Sequence, residues 1–186
     1  TEEGITFTNV SADASAVFRL AQGDTVINAV ELPINFDDAI DTEDELRYAI
    51  SQNETIELAG DIELTSTLVI NRELTVDGAG YTISNNSVDN DSLIKVMGSN
   101  ADVTLRDITV EGSDNAAIFV GDTSAGGVES LTLAGNINLI NNVWGGIGVN
   151  TTAGGQAATV DATDATVTVE GSVKTISDGG EERTVV

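Results

Sequence analysis

The sequence predicts an all-β fold, a three-sided parallel β-helix (β-solenoid) with an N-terminal capping helix, and three observations predict it. The first is a recurring phrase: Leu74-Thr75-Val76, Val103-Thr104-Leu105, Leu131-Thr132-Leu133 and Val167-Thr168-Val169. Side chains alternate across a strand, so each phrase turns two apolar residues to one face and a threonine to the other. The second is the period. These threonines advance by 29, 28 and 36 residues, and an advance near 28 marks units that stack on one another. The third is composition: 40% of residues are hydrophobic but only 4% aromatic, and 19 glycines stand against one proline. Thin aliphatic layers joined by tight turns need that balance.

The first 42 residues do not share the rhythm. Strand-like runs occur at residues 5–8, 16–20 and 25–30, and Phe7, Phe18 and Phe36 all lie here. Residues 1–42 are expected to form a strand-rich cap or assembly arm, with Ile5, Phe7, Val17 and Phe18 as candidate assembly contacts.

A helix is predicted over about residues 43–52. Thr42 with Glu45 three positions on fits a capping box, and Glu43, Asp44 and Glu45 occupy the turn where the helix dipole favours acid. Leu46, Ala49 and Ile50 share one face. A lid is the expected role, since the end of a stacked fold otherwise exposes its interior.

From about residue 55 to 176 three series of strands repeat, within a β-helix expected to span residues 43–186. One runs through Leu68-Val69-Ile70, Leu93-Ile94-Lys95-Val96, Ala117-Ile118-Phe119-Val120 and Gly146-Ile147-Gly148-Val149. The threonine phrase is the second. The third is Tyr81-Thr82-Ile83, Ile108-Thr109-Val110, Ile137-Asn138-Leu139 and Val173-Lys174-Thr175-Ile176, with a shorter early coil at Ile56-Glu57-Leu58 and Ile62-Glu63-Leu64. Three series predict three parallel sheets around an aliphatic interior. From first series to second the step grows: 69 to 75 is 6, 94 to 104 is 10, 118 to 132 is 14 and 147 to 168 is 21. Loops that lengthen along one edge of a rigid scaffold are where binding usually resides.

The phrases Glu45-Leu46-Arg47-Tyr48-Ala49-Ile50, Thr55-Ile56-Glu57-Leu58 and Asp61-Ile62-Glu63-Leu64 resemble the opening of pectate-lyase-like adhesive domains of bacterial cell-surface proteins. So does the run Leu74-Thr75-Val76-Asp77-Gly78-Ala79-Gly80-Tyr81-Thr82-Ile83, and Val103-Thr104-Leu105-Arg106-Asp107-Ile108-Thr109-Val110 fits the same style of coil. The resemblance covers roughly residues 43–176. It implies a right-handed winding, an extracellular or cell-surface setting, and a structural and adhesive role without lyase activity.

The chemistry sought in the residues points the same way. Thirty-one acidic against seven basic residues leave a net charge of -24, which repels nucleic acid and anionic membranes. With no histidine and no cysteine, histidine-based triads and thiolate metal sites are excluded. A lyase of this fold would want clustered aspartates for calcium and a basic residue to take a proton; Arg106 beside Asp107 is the nearest candidate. Glycosidases need only two carboxylates, and so many acids leave no pair distinguishable. Asp89 and Asp91 are weak metal candidates, calcium being the cation such oxygens would hold, and otherwise no cofactor is expected. Trp144, Asn150 and Gln156, beside the growing loops, are candidate ligand contacts.

Residues 177–186 read as a tail with no second helix to cover the last coil, so Val185 and Val186 join the candidate assembly contacts. No apolar run approaches membrane-spanning length. Expected partners are other copies of the chain or neighbouring domains of a surface protein, with glycans as a ligand class and neither nucleic acid nor membrane insertion. The alternatives are a self-assembling filament or sheath subunit, joined by strand augmentation or coil stacking, and a polysaccharide lyase or hydrolase.

Overall fold

A computed structural model describes residues 15–22, 25–33, 39–121, 129–150, 158–172, 175–178 and 181–184. The chain divides into two compact units, residues 1–38 and 39–186. In the first, β1 (Ser15–Gln22) and β2 (Thr25–Pro33) pair as an antiparallel hairpin.

The second unit opens on α1 (Glu43–Gln52). Short strands then follow: β3 (Thr55–Glu57), β4 (Ile62–Leu64), β5 (Leu68–Ile70), β6 (Leu74–Asp77), β7 (Thr82–Asn85) and β8 (Ile94–Val96). Longer ones alternate with short ones thereafter: β9 (Asp102–Glu111), β10 (Ile118–Val120), β11 (Ser130–Ile140), β12 (Ile147–Val149) and β13 (Thr159–Glu170). An antiparallel hairpin of β14 (Thr175–Asp178) and β15 (Glu181–Thr184) comes last. The pairings among β3 to β13 are all parallel, as a solenoid requires.

The period becomes packing through vertical columns. Leu68, Ile94, Ile118 and Ile147 are Cα partners on successive coils, as are Leu74, Val103, Leu131 and Val160. Most of these side chains face inward and are buried, while their strand neighbours face out. Each buried aliphatic is worth roughly 1.5–3 kcal/mol, but only when a neighbouring coil covers it. The coils therefore stabilise one another rather than themselves.

The sides join differently from the expectation of three separate sheets. One four-stranded sheet contains β5, β8, β10 and β12, while a seven-stranded sheet holds the second and third sides together. In β9 and β11 the chain passes from one side to the other without leaving the ladder, turning at a single left-handed residue: Asp107 (φ 43°) and Gly135 (φ 66°). The register between β9 and β11 shifts there, between Ala134 and Ile137, and the Asp107 carboxylate takes the Asn136 N–H in place of a ladder partner.

The last coil also corrects the predicted phase. Thr168 lies opposite Asn138, in line with Thr109 and Thr82, so Val167-Thr168-Val169 belongs to the third side. Opposite Thr132 lies Asp161. The second-side column is thus Thr75, Thr104, Thr132 and Asp161, advancing by 29, 28 and 29 residues. Thr175 and Ile176, assigned from sequence to the third series, lie in the antiparallel hairpin instead; Val173 and Lys174 fall outside the described residues. Measured to Asp161, the step from Ile147 is 14 residues, equal to that from Ile118 to Thr132, so the loops do not lengthen to 21.

The lid is built as predicted. The Thr42 side chain accepts the Glu45 N–H at 3.4 Å and Glu45 Oε2 accepts the Thr42 N–H at 3.1 Å, closing the capping box. Leu46, Ala49 and Ile50 are buried. Arg47 joins Glu43 at 2.7 Å and donates to the Ser66 carbonyl at 2.6 Å, while Arg72 donates to the Ile50 and Ser51 carbonyls. Two of the seven basic residues are thus spent on fastening α1 to the solenoid.

Candidate functional site

The outer face of the second side carries a shallow groove of about 420 Å³. Its floor is a threonine column, Thr55, Thr75 and Thr104, Cα partners on β3, β6 and β9. Beside it runs a second outward column of Glu57, Asp77, Arg106 and Ala134. Strand alternation makes both columns: Ile56, Val76 and Leu105 between them turn inward and are buried.

Arg106 is the groove's cation. Its side chain is 56% exposed, with Nη1 3.9 Å from Asp77 Oδ2. Asp107, next to it in sequence, serves elsewhere: its carboxylate accepts the Asn136 N–H at 2.8 Å and the Gly80 N–H bonds its carbonyl at 2.7 Å. The Arg106 and Asp107 pair weighed for lyase chemistry is therefore split between a groove and a corner. The charged partner Arg106 meets is Asp77 of the coil beneath. Thr55, Glu57 and Asp77 were not singled out from sequence. Thr55 precedes Thr75 by only 20 residues, which hides its membership of the column, although its phrase Thr-Ile-Glu alternates as the others do.

The other candidates lie apart from one another. Asp89 is exposed. Asp91 is half-buried and engaged: Lys95 Nζ reaches its Oδ2 at 2.6 Å, the Ser92 N–H donates to Oδ1 at 2.8 Å and the Thr67 hydroxyl to Oδ2 at 3.2 Å. Burial pushes this carboxyl up, but those donors together hold it below its ordinary value. Among the described residues no group of three or more acids is arranged to hold a metal ion.

Trp144 is exposed in the turn before β12, its backbone N–H donating to the Asn115 carbonyl at 3.2 Å. Asn150 follows β12, and its N–H donates to the Val120 carbonyl at 2.8 Å. Val17 and Phe18 lie in β1, opposite Glu31 and Val30. Gln156, Ile5, Phe7, Val185 and Val186 fall outside the described residues. Among the described residues no helix is long and apolar enough to cross a membrane.

A buried polar corner between the third and first sides escaped sequence reasoning. Asn142 Oδ1 accepts the Ser113 N–H at 2.9 Å and its Nδ2 donates to the Val110 carbonyl at 3.0 Å. Two coils below, Asn85 donates to the Gly112 carbonyl at 3.0 Å and accepts the Val88 N–H at 2.7 Å. These amides replace the ladder bonds that the backbone loses where it turns.

The family model for the pectate lyase-like adhesive domain matches residues 38–176. Neither a curated protein nor a solved structure matches the chain.

Proposed function

The chain belongs to the pectate lyase-like adhesive domain family, and from that membership we propose that it is a non-catalytic module of the cell surface that holds glycans along its outer wall. The observation that carries the proposal is the groove. Its threonine hydroxyls repeat at the strand spacing of about 4.8 Å and both donate and accept hydrogen bonds, as sugar hydroxyls do. Arg106 adds a planar fork of donors suited to a sugar carboxylate. A net charge of -24 keeps such a module soluble outside the cell.

The runner-up, a polysaccharide lyase or hydrolase, would draw on Glu57 and Asp77, partners on adjacent strands of the same groove. Arg106 already engages Asp77, and a permanently protonated guanidinium serves holding better than proton transfer. Retention of the protein on immobilised polygalacturonate and on neutral glycans tests the proposal, alongside prolonged incubation with the same polymers and calcium. Expected are retention that weakens in Arg106→Ala and in Thr104→Val, and no new unsaturated or reducing ends. Steady release of such ends, or retention on none of the polymers, would overturn it.

A further inference from the structure

The outward residues of the second side divide by charge along the solenoid. β3 and β6 present Thr55 with Glu57 and Thr75 with Asp77, and β13 presents Asp161 with Asp164. Between them, β9 and β11 present Thr104 with Arg106 and Thr132 with Ala134. These four residues form a patch with no carboxylate of its own, framed by the acids below and above. Asp102, the outward residue before Thr104, borders it along the strand. In a chain with a net charge of -24, an anion meets attraction here and repulsion around it.

The cation of the patch has unused donors. Arg47 and Arg72 direct theirs to carbonyls beside α1. The Arg106 side chain makes no hydrogen bond among the described residues. Asp77 Oδ2 is 3.9 Å from its Nη1, beyond hydrogen-bond length, and Asp77 Oδ1 is committed to the Ala79 N–H at 2.9 Å. On the coil above, the Cα partner of Arg106 is Ala134, which offers only a methyl group. That side of the guanidinium is open to a partner, with the Thr104 and Thr132 hydroxyls on the same two strands.

We infer that the groove selects glycans whose carboxylates are sparse: one carboxylate docks on Arg106 over Ala134, and the sugars beside it are uncharged. The inference deepens the adhesive reading and rests on it. Its physical ground is range. Coils repeat at about 4.8 Å, and an extended polysaccharide advances by a comparable distance per sugar. A chain laid along the columns therefore carries the neighbouring sugars onto Asp77 and Glu57 or onto Asp161 and Asp164. A charge on those sugars would lie closer to the acids than the screening length of about 8 Å at physiological salt. A polyuronate thus meets acid on both sides of its favourable contact, and a neutral chain lacks that contact. Isolated carboxylates take the attraction without the repulsion. Ala134 becomes a specificity-determining residue, because an acid there would occupy the open side of Arg106.

Polygalacturonate methyl-esterified to graded degrees tests this, since charge density changes while the backbone stays the same. Retention on the immobilised polymers is measured at low and at physiological salt. Expected is an optimum at sparse charge, above both the fully esterified and the unesterified polymer, with the second gap narrowing as salt screens the acids. Arg106→Gln should abolish the optimum and leave the fully esterified polymer held best. Ala134→Glu should do the same by pairing with the guanidinium on the adjacent strand. Glu57→Gln with Asp164→Asn removes two exposed acids that form no ion pair with Arg106. That double variant should tighten the unesterified polymer by roughly two- to fivefold, the scale of exposed charge pairs, and move the optimum toward higher charge. Circular dichroism and melting curves report whether each variant keeps its coils. Retention that rises steadily with charge, or that ignores charge while the neutral polymer is held, would overturn the inference and leave the adhesive reading standing. Retention of no polymer at any charge density would overturn both.

Discussion

The carboxylate of Asp107 lies over Gly135 one coil above, so close that a Cβ at residue 135 would collide with its Oδ1. Both residues are left-handed, and the same carboxylate accepts the Asn136 N–H at 2.8 Å. The corner between the second and third sides is thus made by an acid below and a glycine above. Gly135→Ala should destabilise the protein by about 2 kcal/mol or more, since the left-handed conformation alone costs an L-residue about 1–2 kcal/mol. Urea unfolding checks it. Gly80→Ala is the control: its φ is also positive, but nothing lies within 4 Å of the added carbon, so only the conformational cost should appear.

The capping box makes the lid separable from the coils. Thr42→Ala removes the oxygen that accepts the Glu45 N–H and should cost about 1 kcal/mol. Hydrogen exchange should show the loss first at α1 and at β3, with β9 and β11 unchanged.

Acid should loosen the same lid. Burial pushes the Glu43 carboxyl up, but the Thr65 hydroxyl and amide, with the Arg47 guanidinium, outweigh it and bring the group down from 4.5 to about 2. A depressed folded-state value stabilises the protein above the unfolded value. That contribution is whole above about pH 4.5 and disappears as the pH falls toward about 2. Glu45, held low by the Thr42 hydroxyl, acts in the same direction. Glu43→Gln should therefore flatten the stability profile between those limits, as read by denaturant midpoints at successive pH values. An unchanged slope would show that Glu43 is not a source of the acid sensitivity.

Asn142 is buried and bridges two coils through Ser113 and Val110. Asn142→Leu leaves an amide and a carbonyl without partners and should cost roughly 1–3 kcal/mol by thermal or urea unfolding. Exposed Asn86→Ala, which loses one bond to Glu63, should cost less.

Most of the solenoid was legible because its two periods are written in residue type. Alternation placed Thr104 outside and Val103 and Leu105 inside, and the 29- and 28-residue advance stacked Thr75, Thr104 and Thr132. The last coil was misplaced for a physical reason. Both the second and third sides use an apolar-threonine-apolar pattern, as Val103-Thr104-Leu105 and Ile108-Thr109-Val110 show, so Val167-Thr168-Val169 fits either. The true second-side residue is Asp161, whose polar side chain suits an outward position but breaks the phrase. Its hydroxyl partner is Thr163, whose N–H and O–H both donate to Asp161. The merging of two sides into one bent strand was also hidden, since a single left-handed Asp107 resembles any aspartate in a turn. The groove was visible only in part: Arg106 drew attention, whereas Glu57 and Asp77 became its neighbours only through the stacking of β3, β6 and β9.

The claim beneath all of this is that coils of 28 to 29 residues lie directly above one another. Paired cysteines measure it, because the chain contains none of its own. Thr104→Cys with Thr132→Cys places the thiols on Cα partners of β9 and β11, within disulfide reach, and mild oxidation should close an intramolecular bridge in the folded protein. Thr132→Cys with Thr168→Cys puts them on different sides of the coil and should remain reduced. Closure of the second pair and not the first would contradict the stacking.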